Sequence, residues 1–159
     1  MSDGPVRRFR PQAADDGFRW DRVDLTRYKE EGAAPFRDIT RQTLFRGDDM
    51  RGELRYFEVA ANGHSTLERH QHAHAVLVLR GNGRVLVADA VHAIGAFDLV
   101  TVPPLTWHQF RATADAPLGF LCMVDAERDK PQLPDARELE SLRVIPAVGD
   151  FLAGGERPR

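Results

Sequence analysis

Cysteine, net charge and long apolar runs are all scarce in this chain. Cys122 is its one cysteine, which excludes an internal disulfide and agrees with a reducing compartment. Lying in the apolar run 118–124, it reads as a core residue. Twenty-two basic and 24 acidic residues leave a formal charge of −2, with both signs mixed along the chain. No electrostatic footprint for nucleic acid or an anionic membrane is therefore visible, and a small molecule is the expected partner. No apolar run approaches the roughly 20 residues of a membrane span, and the start MSDGPVRRFR lacks the apolar core of a secretory signal. The expectation is a cytoplasmic protein with neither a membrane nor a nucleic-acid partner. At 159 residues the chain suits one domain with a sizeable core, and the absence of an internal repeat excludes a second barrel.

What is present is the punctuation of an all-β fold. Residues 1–38 are rich in Arg, Asp, Gly and Pro without a lasting period and read as an arm, which Trp20, Tyr28 and Phe36 would pin to the body. From residue 39 short β-branched and aromatic segments alternate with turn residues, predicting strands at 40–45, 53–60, 70–79, 84–88, 91–94, 99–102, 107–112 and 118–124. Eight strands suit a jelly roll. Arg80-Gly81-Asn82-Gly83 predicts a tight hairpin, because glycine and asparagine accept positive φ. Pro103-Pro104 removes two backbone donors, so that stretch must be a turn or an edge that delivers His108 at a strand start. The barrel is expected over 39–128. In the extension 129–159, Pro131 and Pro134 precede one short helix near 135–142, with Asp135 at its cap, and the last residues, 154–159, are expected to fray.

Three of the six histidines fall in His70-Gln71-His72-Ala73-His74, with Glu68 two residues earlier. On a regular strand residues 68, 70, 72 and 74 share one face, so four metal-capable groups would converge. The apolar run 75–79 that follows would anchor them in packed interior. Clustered histidines also occur on solvated edges; the remote His108, placed by the proline turn, is what turns the cluster into a candidate site. His64, in the loop Asn62-Gly63-His64, is expected to be solvated, and His92 to be an ordinary strand residue. Arg46, Arg55 and Arg111 could line the cavity mouth, but arginine is common on any surface and the sequence does not place them, so they receive no role.

These residues resemble the two motifs of the cupin superfamily over about residues 53 to 124. In the first motif Gly81 takes the place of the closing glycine, His74 the last ligand position, His70 and Glu68 the paired-histidine positions, and Gly63 the early glycine. In the second, Phe97-Asp98 stands for Gly-Asp, Pro103 for the proline and His108 for the histidine. The resemblance implies a double-stranded β-helix (jelly-roll) barrel of the RmlC-like type. It also implies one divalent transition metal, Fe, Mn, Ni, Cu or Zn with Fe(II) preferred, held by Glu68, His70, His74 and His108. His72 would either replace Glu68 or act as the catalytic base. The function implied is an Fe(II)-type dioxygenase acting on a small anionic or chelating molecule. A metal-dependent isomerase or lyase, and a non-catalytic binding barrel, are the alternatives. The two-faced apolar segment 75–79 and the long arm point to a homodimer.

Overall fold

The computed structural model describes residues 6–10, 17–27 and 37–154. Strands β1 (Phe9–Arg10) and β2 (Arg19–Trp20) form a small ribbon, and β3 (Thr26–Arg27) lies on β4 (Arg37–Arg46). Then follow β5 (Gly52–His64), β6 (His74–Arg80), β7 (Asn82–Val87), β8 (Ala90–Gly95), β9 (Leu99–Val102), β10 (His108–Ala112) and β11 (Leu118–Asp125). These eight strands, β4 to β11, correspond to the eight read from the sequence. The sheet runs β8-β7-β10-β5-β11-β6-β9, with β4 on the flank of β5, and every pairing in it is antiparallel. The long β5 pairs with β11 along its first half and meets β10 at His64, so it carries the sheet around the curl of the barrel.

Alternation explains the interior. On β11, Leu118, Phe120, Cys122 and Val124 are buried, and on β6, Val76 and Val78. They pack with Val59, Val85, Ile94, Val100 and Phe110 in the space between the curled walls. Rings of Phe57, Phe120 and Phe110 stack there, with centroids 5.7 and 4.9 Å apart.

The outer faces are covered from both chain ends. Tyr56, 1% exposed, stacks on Phe18 at 5.8 Å and meets Trp20 at 5.0 Å, while its hydroxyl donates to Glu58 at 2.7 Å. Gln42 donates to the Phe18 carbonyl at 2.8 Å, next to the contact of Trp20 with Tyr56. Tyr28, Phe36 and residues 155–159 lie outside the described residues. At the other end α1 (Ala136–Arg143) starts on a capping box between Asp135 and Glu138, which satisfies donors that the first helical turn leaves open. A second helix, α2 (Pro146–Leu152), follows, where the sequence reading allowed only one. Pro and Gly disfavour helix interiors in general. In the fold Pro146 occupies the first helical turn, and Gly149 lets the helix pass the Arg143 carbonyl, from which a Cβ would lie 2.5 Å. Leu142, Val148 and Phe151 then bury against Leu86 and Leu67 on the outside of the barrel.

Two further expectations are corrected. The segment 70–73 is a bend, and β6 begins only at His74. The glycines at 81–83 do not close a hairpin, because β6 pairs with β9 and β11 while β7 pairs with β8 and β10. Gly81 is a corner between the two walls. Its φ is +75°, and a Cβ there would stand 1.9 Å from the Pro117 carbonyl oxygen. Gly81→Ala should therefore cost about 2 to 4 kcal/mol and lower the thermal midpoint by several degrees. Gly52→Ala, whose methyl would meet only the flexible end of Met50 at 3.3 Å, should barely move it. Melting curves followed by circular dichroism check both.

Candidate metal centre

Three backbone devices bring three imidazoles together. His70 precedes the bend, His74 opens β6, and His108 opens β10 after the Pro103-Pro104 turn. The turn is tied to the bend: Leu105, at φ +55°, donates its N–H to the His70 carbonyl at 2.7 Å. The ring centroids of His70, His74 and His108 form a near-equilateral triangle with sides of 5.0, 4.9 and 4.9 Å. One ligand atom from each lies within 4.8 Å of the other two.

The orientation of each ring is set from behind. Nδ1 of His70 faces the His72 carbonyl at 2.8 Å, and Nδ1 of His108 faces the Thr106 carbonyl at 2.9 Å. A carbonyl only accepts, so in both rings Nδ1 carries the hydrogen and Nε2 keeps its lone pair. Nδ1 of His74 lies 3.3 Å from Cys122 Sγ, and its Nε2 is buried without a hydrogen-bond partner. A buried polar nitrogen left in that state costs free energy unless something binds it.

Burial, together with the neighbouring rings, pushes His74 down to about 3. His108 is pushed by burial to about 4, and burial lowers His70 as well. All three are therefore neutral near pH 7, the state in which imidazole binds a metal. Burial also pushes the Cys122 thiol up to about 12, so it backs His74 as a protonated core residue. This donor set fits a first-row transition ion and suits Mg or Ca poorly.

Glu68 and His72 stand outside the converging group. Glu68 is bonded through its backbone to that of His108, at 3.2 and 3.0 Å, but its carboxylate is not among the three clustered ligand atoms. His72 lies flat on His70, with centroids 3.7 Å apart and planes 2° from parallel. Its Nδ1 is 2.8 Å from Asp129 Oδ1, and Asp129 Oδ2 accepts the Gln71 N–H at 2.8 Å. The regular strand expected over 70–74 is interrupted by the bend, while Glu68 stands opposite His108 in an antiparallel bridge and so points to the same side as that ring. Asp129 was missed, since a lone acid in a proline-flanked extension carries no periodic signal. His64 is half-buried at the end of β5, with Nδ1 3.0 Å from the Ser65 carbonyl, contrary to the solvated loop expected. His92 is an exposed strand residue, as expected.

A profile of the cupin domain family matches residues 55–124, and one enzyme is similar along nearly the whole chain. It is the 1-methylthio-D-xylulose 5-phosphate methylsulfurylase of Rhodospirillum rubrum, 59% identical over 152 residues, covering 96% of this chain and 94% of its own. This chain belongs to the cupin superfamily. Two solved cupins share its architecture closely. A cupin-2 domain protein from Rhodospirillum rubrum superposes with a TM-score of 0.82 at 58% identity, covering 95% of this chain and 98% of that one. A cupin 2 conserved barrel protein from Rhodopseudomonas palustris gives 0.81 at 48% identity, covering 90% and 97%. No helix of the described residues of this cupin is long and apolar enough to cross a membrane.

A pH profile tests the neutral imidazoles of the metal-free cupin. Their folded values lie below the ordinary 6.5, so below pH 6.5 the unfolded chain binds protons that the folded protein refuses. Stability then falls as pH falls. The thermal midpoint should already drop between pH 6.5 and 5, above the ordinary carboxylate range. A flat profile there would contradict buried neutral rings. Elemental analysis of untagged protein should find one transition ion per chain, lost in His70→Ala, His74→Ala and His108→Ala and retained in His92→Ala.

Proposed function

We propose that this cupin is a metal-dependent enzyme that breaks the carbon–sulfur bond at C1 of a 1-methylthio-2-ketose 5-phosphate. The supporting observation is 59% identity along 96% of the chain with the methylsulfurylase, combined with a neutral three-histidine cluster suited to an ion. This reading replaces the Fe(II)-type dioxygenase, which rested on the cupin resemblance alone, and as a group transfer to a thiol it differs from the isomerase or lyase alternative as well. A fold shared by many chemistries does not choose among them.

A divalent ion held by His70, His74 and His108 would supply Lewis acidity at a ketone oxygen. Glu68, bonded to the His108 backbone, is the neighbour from which a fourth ligand would come. The substrate carries its methylthio group on the carbon next to the ketone. If an acceptor thiol takes that group, a sulfur–sulfur bond forms, the bond from C1 to sulfur breaks, and the electron pair stays on C1. The adjacent carbonyl spreads the charge, C1 takes up a proton, and the proton lost by the thiol balances it. In this reading His72 moves that proton. Asp129 accepts from Nδ1, which fixes the tautomer, leaves Nε2 as the exchanging atom, and steadies the ring when it is charged.

The test uses 1-methylthio-D-xylulose 5-phosphate and a small thiol in deuterium oxide, with Mn, Fe, Ni, Cu or Zn supplied in turn. The expected result is metal-dependent loss of the methylthio group with one deuterium at C1, read by NMR. Asp129→Asn should lower kcat about tenfold or more through the misheld tautomer, with the melting temperature little changed. Absence of turnover with every ion, or oxygen uptake in its place, would overturn the reading.

A further inference from the structure

Three charged side chains meet inside the barrel and take no part in the chemistry above. Glu53 and Arg55 are 4% and 8% exposed. Arg55 donates from Nε to Glu53 Oε1 at 2.9 Å and from Nη2 to Oε2 at 3.0 Å. Arg128 donates from Nη1 to the same Oε2 at 2.9 Å and to the Asp125 carbonyl at 3.0 Å. Burial works against ionisation of Glu53, yet the bonds from the two guanidiniums hold it at about 2. The group is two cations on one anion, a local surplus of one positive charge.

The strand register puts this surplus beside the histidines. Glu53 pairs across β11 with Val124, which pairs with His74; Arg55 pairs with Cys122, which pairs with Val76. Residues opposite one another in a ladder point to the same side, so Glu53 and Arg55 share the inner face with His74. Cys122, the cross-strand neighbour of Arg55, is the residue that touches His74 Nδ1. Buried charges are costly, and an apolar cluster would hold a barrel wall at least as well. Two guanidiniums share the carboxylate of Glu53, with Glu68 as a second acid acting on Cys122, and a shared carboxylate leaves each guanidinium donors for an anion. Arg55 does not use Nη1 in its bonds to Glu53, and Arg128 does not use Nη2, so each keeps donors of the kind that grip phosphate.

We propose that Arg55 and Arg128, tied together by Glu53, form the subsite that holds the substrate's phosphate beside the three-histidine centre; this rests on the phosphoketose reading. Glu53 aligns the two guanidiniums and limits their charge, and the ketone end of the substrate then faces His70, His74 and His108.

Isothermal titration with inorganic phosphate tests the subsite without turnover. Arg128→Gln, at a partly exposed position, and Arg55→Lys should each weaken binding about tenfold or more, the loss expected for a charge-assisted hydrogen bond. Arg51→Gln should stay within about twofold, because that side chain is 78% exposed and pairs with Asp125 and Glu127, exposed contacts that contribute little. Circular dichroism verifies folding; should Arg55→Lys fail to fold, Arg128→Gln decides. The titration is run with and without a bound ion. Equal affinity in wild type and Arg128→Gln, or binding that vanishes with the ion, overturns the subsite. With the methylthio ketose phosphate, Arg128→Gln should raise KM far more than it lowers kcat and spare the unphosphorylated ketose. Turnover insensitive to Arg128 sinks the subsite alone. Arginine-dependent phosphate binding without turnover supports the subsite and sinks the reading of the reaction.

Discussion

Each imidazole of the cluster is held at its back. The carbonyls of His72 and Thr106 and the sulfur of Cys122 occupy the three Nδ1 atoms, and this directs the opposite nitrogens toward one another. Much of the local architecture serves that constraint. The bend after His70 turns the His72 carbonyl onto His70, the proline turn places the Thr106 carbonyl under His108, and the pairing of β11 with β6 sets Cys122 beside His74. Where three rings meet in a dry interior, protonation of one would place a cation among its neighbours with no solvent to screen it. The cluster is thereby neutral, and neutral nitrogen donors in a fixed triangle are prepared for an ion before it arrives.

The same packing separates two roles that the sequence left merged. His70 and His72 are one turn of chain apart and chemically identical, yet one is buried with its Nδ1 on a carbonyl and the other lies flat against it with its Nδ1 on a carboxylate. Either partner fixes the tautomer by accepting from Nδ1, but only the ring of His70 joins His74 and His108 in the converging triangle. The bend makes that difference. Had residues 70–74 continued as a strand, His72 would have competed for the ion and no residue beside the centre would have an acid to hold it.

Residue types and spacing made the barrel and the triad legible in the sequence. The strands from β4 to β11 follow from alternation and punctuation, which are local signals, and His108 followed from the two prolines before it. What stayed hidden depends on which strand lies beside which. Gly81 was legible as a glycine that needs positive φ, but not as a corner, because a hairpin and a corner ask the same of the backbone and differ only in distant pairing. The inward face of β5 was unreadable for the same reason. Arg55 sits among alternating residues, Glu53-Leu54-Arg55-Tyr56, whose charged members look like the solvent side. In the fold the polar pair points in, and Tyr56 points out to be covered by Phe18 and Trp20. Helix α2 was concealed by Pro146 and Gly149, which break helices in general and here begin one and let it pass a carbonyl.

That inversion on β5 bears on how the fold came to host this site. A jelly roll tolerates polar groups in its interior only where they pair with one another or with a ligand. Here the interior is divided along its length. Phe57, Phe110 and Phe120 fill one part with stacked rings, and the histidines with the Glu53–Arg55 pair occupy the other. The apolar part supplies the stability that a cluster of polar groups cannot, and by excluding water it strengthens every charge in the polar part. The three imidazoles and the thiol are neutral, so Glu68, opposite His108, is the group of the centre that would bring a charge to the ion. With Glu68 counted, a divalent ion beside two guanidiniums and two carboxylates still makes a positive pocket, and a ligand that is only a neutral chelator would leave that field uncompensated. An anion such as a phosphorylated ketose carries its counter-charge with it.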